Sequence, residues 1–121
     1  MILVDTSVWI DHFRSTSRAL VQLLTAGTVS MHPHIVGELA CGHLARRHTT
    51  INLLQTLPKI TAATDNEALT YLERHRLYGA GLGYIDLHLL ASVAMDRGQL
   101  WTTDKRLQAQ ALRLRVAYRE S

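Results

Sequence analysis

The chain opens on three apolar residues, Ile2-Leu3-Val4, and the run stops at a carboxylate, Asp5. A short run with no polar alternation fits a central strand buried on both faces, the habit of parallel sheets. Parallel strands need long crossovers, usually helical. The rest of the sequence supplies them. Thr6 and Ser7 are N-cap candidates for a helix reaching Phe13, and Ser17 opens a second helix with Ala19, Leu20, Leu23 and Leu24 on one face, stopped by Gly27. Val29 to Met31 reads as a short strand. Pro33 starts a third helix with Ile35, Val36, Leu39, Ala40 and Leu44 at helical spacing, and Glu38 lies on it.

A fourth helix is expected from Thr49 to before Pro58, followed by a strand from Lys59 to Ala63. Thr64-Asp65-Asn66-Glu67 is a capping box for a fifth helix running to about Tyr78. The glycine-rich stretch 79–83 breaks that pattern and leads to a helix headed by Tyr84, Ile85 and Asp86 and ending at Gly98. Leu100 to Thr103 is a strand, Asp104 caps a last helix through Leu112, and Arg115 to Tyr118 forms an edge strand. Alternation of this kind predicts an α/β fold: one domain over residues 1–121, with a central parallel sheet of about four or five strands and helices on both faces.

Composition narrows the class. With 121 residues, 47% of them hydrophobic, a core can form without a metal or a disulfide, and the lone Cys41 has no intrachain partner. No basic-then-apolar leader precedes the first motif, and no apolar run approaches the roughly 18–20 residues of a membrane span, so a cytoplasmic protein is expected. The net charge of +3 permits an acidic partner but does not demand one.

The placement of the acids says more. Ligands of open α/β sheets bind beyond the carboxyl ends of the strands, where Asp5 and Asp104 follow strands directly. Asp86, after the glycine-rich loop, and Glu38, after the second strand, can reach the same end. Four converging carboxylates would repel one another unless a cation lay between them, and oxygen-only ligands favour Mg²⁺ or Mn²⁺ over zinc. Such a centre suits phosphodiester hydrolysis. Three of the four also have a plainer role, Asp86 and Asp104 as N-caps and Glu38 as a solvated side chain, whereas Asp5, ending an apolar strand, is harder to dismiss.

Four blocks carry a family resemblance. Residues 2–10 (ILVDTSVWI), 35–42 (IVGELACG), 85–91 (IDLHLLA) and 100–107 (LWTTDKRL) resemble, in order and across nearly the whole length, the blocks of PIN-domain ribonucleases, and more closely VapC-like toxins of type II toxin–antitoxin pairs. The resemblance implies an endoribonuclease dependent on Mg²⁺ or Mn²⁺, with Asp5, Glu38, Asp86 and Asp104 as catalytic and metal-binding acids. Thr6, Ser7, Thr102 and Thr103 would then orient the acids or metal waters. It also implies a cognate antitoxin and a homodimer, with the helices Ser17 to Thr25 and Thr49 to Leu57 as candidate contacts. Some relatives carry a further acid near the last block or one turn after the Asp86 position. Here that turn holds Leu89 and Leu90, which leaves a second metal site open.

Lys105 and Arg106 follow Asp104 directly, would flank the mouth of the site and can hold RNA phosphates without reading bases, with His88, Arg46 and Arg14 as further candidates. The substrate expected is a single strand or a loop of a structured tRNA, rRNA or mRNA. The seven histidines form no HExxH and no finger spacing, and read as surface or capping groups. Cys41, Trp9 and Trp101 read as packing residues, and Asp11 and Asp65 as surface acids. Two other functions fit the same pattern less well. A receiver-like phosphoacceptor needs an Asp at the end of a central strand and a late Lys, but the third strand ends on Ala62-Ala63 and Lys59 precedes it. A catalytically silent PIN-like module binding RNA or protein is the other alternative.

Overall fold

The computed structural model describes residues 1–120. Three parallel strands form the sheet: β1 (Ile2–Val4), β2 (Val29–Ser30) and β3 (Gln99–Trp101), in the order β2-β1-β3. β1 pairs with β2 through Ile2↔Val29 and Leu3↔Ser30, and with β3 through Ile2↔Gln99, Leu3↔Leu100 and Val4↔Trp101. Leu3 and Val4, which point to opposite faces, are both fully buried, so the sheet is covered on both sides.

Seven helices complete the chain among the described residues: α1 (Thr6–Arg14), α2 (Arg18–Thr25), α3 (Pro33–Cys41), α4 (Arg47–Gln55), α5 (Asp65–Arg74), α6 (Tyr84–Asp96) and α7 (Lys105–Arg113). α6 is the central one. Its residues Leu87 through Val93 are all buried, so its middle is covered on every side, with α5 and β3 packed against it. Where α5 begins, the capping box forms as expected: Thr64 Oγ1 accepts from Glu67 N, and Glu67 Oε1 accepts from Thr64 N.

The expected fourth and fifth strands shrink to single bridges, Met31↔Lys59 and Leu100↔Ala117. Pro58 has no N–H to extend the first ladder, and Arg115 at φ 61 turns the chain just before the second. Both segments still flank the sheet, Ile60 N donating to Met31 O and Tyr118 N to Leu100 O. The fourth helix starts two residues early, at Arg47, and the fifth stops at Arg74, short of Tyr78.

The strand order places β1 in the centre, with the chain leaving it first toward β2 and later returning on the other side as β3. The carboxyl end of β1 is thus the point where the winding reverses, the usual crevice of an open α/β sheet. Asp5 stands at that point.

Candidate active site

Asp5 follows β1 as the N-cap residue of α1, but its side chain caps nothing. Instead, buried to 6% exposure, Oδ2 accepts from two hydroxyls: Ser7 Oγ at 2.8 Å and Thr102 Oγ1 at 2.7 Å. Those hydroxyls are themselves held by backbone donors of the turn after β3. Thr103 N donates to Ser7 Oγ (3.1 Å) and Asp104 N to Thr102 Oγ1 (3.1 Å). A buried carboxylate without partners would be costly. Here two hydroxyls offset that cost and lock the end of β1 to the turn that presents Asp104.

Glu38 lies on the exposed side of α3, and its Oε1 accepts from Thr6 Oγ1 at 2.7 Å, which ties α3 to the first turn of α1. Asp86, at the third position of α6, accepts the Gly83 N–H on Oδ2 (3.0 Å). Asp104 caps α7, with Oδ1 accepting from Leu107 N at 3.0 Å. The plainer role expected for Asp104 is therefore filled as well.

One pattern joins the four. Each carboxylate has one oxygen held by the protein, while among the described residues its other oxygen accepts no hydrogen bond. No Lys or Arg neutralises them: the ion pair found among the described residues is His88–Asp65. Asp86 registers the crowding. Its carboxyl is raised above the usual range, first by burial and then by Asp5, Asp104 and Glu38, with the Gly83 N–H opposing the shift.

Among the described residues, no three His, Cys, Asp or Glu side chains are gathered closely enough to hold a metal ion as they stand. The donor chemistry nonetheless fits a hard divalent cation. Four half-satisfied carboxylates with no cationic partner supply oxygen ligands and an excess of negative charge.

A family profile for the PIN domain matches residues 2–113. This chain belongs to the PIN-domain family. It is similar to ribonuclease VapC32 of Mycobacterium tuberculosis, in strain CDC 1551 / Oshkosh and in strain ATCC 25618 / H37Rv. Each of these is 45% identical over 121 residues, covering 99% of this chain and 98% of the relative. The matched stretch of this PIN-domain chain contains all four acids and the hydroxyls that hold two of them.

The supporting residues divide unevenly. Ser7 and Thr102 orient Asp5, Thr6 orients Glu38, and Thr103 contributes its backbone N–H, its side chain making no hydrogen bond among the described residues. Thr6 and Ser7 therefore sit inside α1 as its first two residues and do not cap it. Lys105 and Arg106 are exposed on the first turn of α7, beside Asp104. Arg14 lines a cleft of about 670 Å³ that also includes Glu38, Ile10, Phe13 and His43. Arg46 is exposed at the start of α4 and does not line that cleft.

His88 is where expectation and structure part. It is 3% exposed and its Nε2 lies 2.9 Å from Asp65 Oδ1, with Tyr84 and His34 ring to ring against it, so it does not present itself to a phosphate. Asp65 is accordingly more than a surface acid. Accepting from Tyr84 and paired with His88, its carboxyl is held below the usual range, the Tyr84 hydrogen bond being the largest cause. His32 is fully buried, and burial with His34 and His88 nearby lowers its imidazole to about 4. Cys41, expected to pack, is exposed. Gly81 lies in the glycine-rich stretch that leads to Asp86, which in sequence reads only as a helix breaker; its positive φ appears in the fold alone.

Proposed function

We propose that this chain is a metal-dependent endoribonuclease, the toxin of a type II toxin–antitoxin pair, formed as one nuclease domain over residues 1–121. Its substrate would be single-stranded or looped RNA, and it would act in the cytoplasm. Among the described residues no helix is long and apolar enough to cross a membrane. The observation that carries the reading is the set of four carboxylates at the winding reversal, each with one oxygen held and one free. The likeness to proteins named ribonuclease VapC32 supports the substrate class and the toxin role.

Asp5, Glu38, Asp86 and Asp104 would hold Mg²⁺ or Mn²⁺. The ion, when bound, polarises an attacking water and offsets charge building on the phosphate. The chain's own part is orientation. Ser7 and Thr102 keep one oxygen of Asp5 turned inward, Thr6 does the same for Glu38, and the backbone N–H groups of Gly83 and Leu107 do so for Asp86 and Asp104. A site organised in advance in this way loses little free energy to reorganisation when charge develops. Lys105, Arg106 and Arg14 are the cations proposed to hold the RNA backbone, positioning it without reading sequence. A cognate antitoxin would restrain the enzyme, and homodimerisation is proposed with it.

The spacing of the acids, too wide to hold an ion unaided, is the one observation favouring a catalytically silent RNA- or protein-binding module. Cutting decides between them. Incubated with Mn²⁺, a labelled single strand and a hairpin loop should be cleaved to give 5′-phosphate and 3′-hydroxyl ends, with the corresponding duplex left intact. Measured metal binding with no cut in any RNA would favour the silent module.

A further inference from the structure

Gly81 lies at the middle of the glycine-rich 79–83 loop with φ +80, is exposed, and has another residue's side chain lying against the place its own Cβ would take. A Cβ there would lie 2.9 Å from Cδ of Arg106, 3.2 Å from its Nη1 and 3.3 Å from its Nε. The Arg106 side chain is thus laid directly over the Gly81 backbone. Two residues on, Gly83 N holds Asp86 Oδ2. Two residues before Arg106, Asp104 caps α7. The arginine therefore bridges from one acidic helix start to the loop that leads into the other.

We propose that Gly81 is a positioning residue for RNA binding: its bare backbone is the seat on which Arg106 rests, holding the guanidinium beside the acidic cleft as a preformed contact for an RNA phosphate. This rests on the ribonuclease reading above. The physical reason is entropic. An exposed arginine normally gives up rotamer freedom when it grips a ligand, and a stem already seated gives up less. The planar guanidinium is suited to a phosphate in two-point contact. The polyanionic substrate also needs a fixed cation where four carboxylates would otherwise repel it.

Gly79 provides the control. It too has positive φ (+73), but a Cβ there meets nothing within 4 Å, so Gly79→Ala carries the backbone strain of Gly81→Ala without touching Arg106. Thermal denaturation of both variants measures that shared strain. ¹⁵N NMR of the arginine Nε–Hε groups in the free protein, with Arg106 assigned through Arg106→Lys, reads whether the side chain is held. It should be ordered in the parent and in Gly79→Ala and mobile in Gly81→Ala.

Binding of a fluorescently labelled single-stranded RNA, followed by anisotropy in EDTA, reads the consequence. Gly81→Ala should raise Kd about three- to ten-fold, the loss that follows from one long side chain becoming free. Gly79→Ala should leave Kd unchanged, and Gly81→Ala should add nothing to Arg106→Ala. The proposal is overturned if Gly81→Ala leaves Kd unchanged, if Gly79→Ala raises it as much, or if the two effects add in the Arg106→Ala background. Since binding is read in EDTA, a chain that shows the expected pattern and cuts no RNA supports the role of Gly81 while sinking the nuclease reading.

Discussion

Asp86 bears the electrostatic cost of the cleft. Its carboxyl is raised by burial and by three like charges, so in the metal-free protein it contributes stability below the ordinary carboxylate pKa of 3.8 and loses it as pH rises through the raised value. At neutral pH the ionised group is a net burden. Asn keeps an oxygen for the Gly83 N–H while removing the charge. Asp86→Asn should therefore melt about 2–5 °C higher than the parent at pH 7 in EDTA, a modest gain because the group is half-exposed and screened. The difference should vanish in acid. Added Mn²⁺ should stabilise the parent and leave the variant unmoved, which differential scanning calorimetry would check. Asp5 was legible at this scale because a carboxylate ending an apolar strand has few other uses. His88 was not, because its partner, Asp65, lies 23 residues away and only the packing of α5 on α6 brings them together.

At the scale of elements, the site is a joint between the ends of β1 and β3. Thr102 makes the joint: its hydroxyl donates to Asp5 and accepts from Asp104 N, and it is 3% exposed. Thr102→Val keeps the shape and removes both bonds. It leaves a carboxylate oxygen and a backbone N–H short of a partner, so it should destabilise by about 1–3 kcal/mol in urea titration. RNA cleavage should fall with it, whereas Thr102→Ser should restore both. The short strands and most helices were readable from apolar runs, caps and glycines. Helix ends were less so. The four non-glycine residues at positive φ among the described residues are all arginines, Arg46, Arg76, Arg97 and Arg115, and arginine carries none of the turn signal that glycine or asparagine would. Two of the five expected strands failed as ladders because one edge begins after Pro58 and the other after Arg115.

Across the whole molecule, charge is separated by function. Ten acids against 13 Lys and Arg give a net charge of only +3, yet four of those acids are gathered at one end of the sheet, and a bound divalent ion would cancel much of their charge. The remaining surface is then more basic than the sum suggests, as a protein holding RNA requires. Convergence of the four acids could be proposed from their positions after strands, and the hydroxyls of Thr6, Ser7 and Thr102 from the family resemblance, while which acid Thr6 and Thr102 each hold depends on contacts 32 and 97 residues apart along the chain. The most direct test is cleavage of a single-stranded RNA by the purified chain and by Asp5→Asn, each with Mn²⁺ and with EDTA, after circular dichroism shows both folded. The expected result is cutting by the parent with Mn²⁺ alone. Full cutting in EDTA, or by Asp5→Asn, would contradict it.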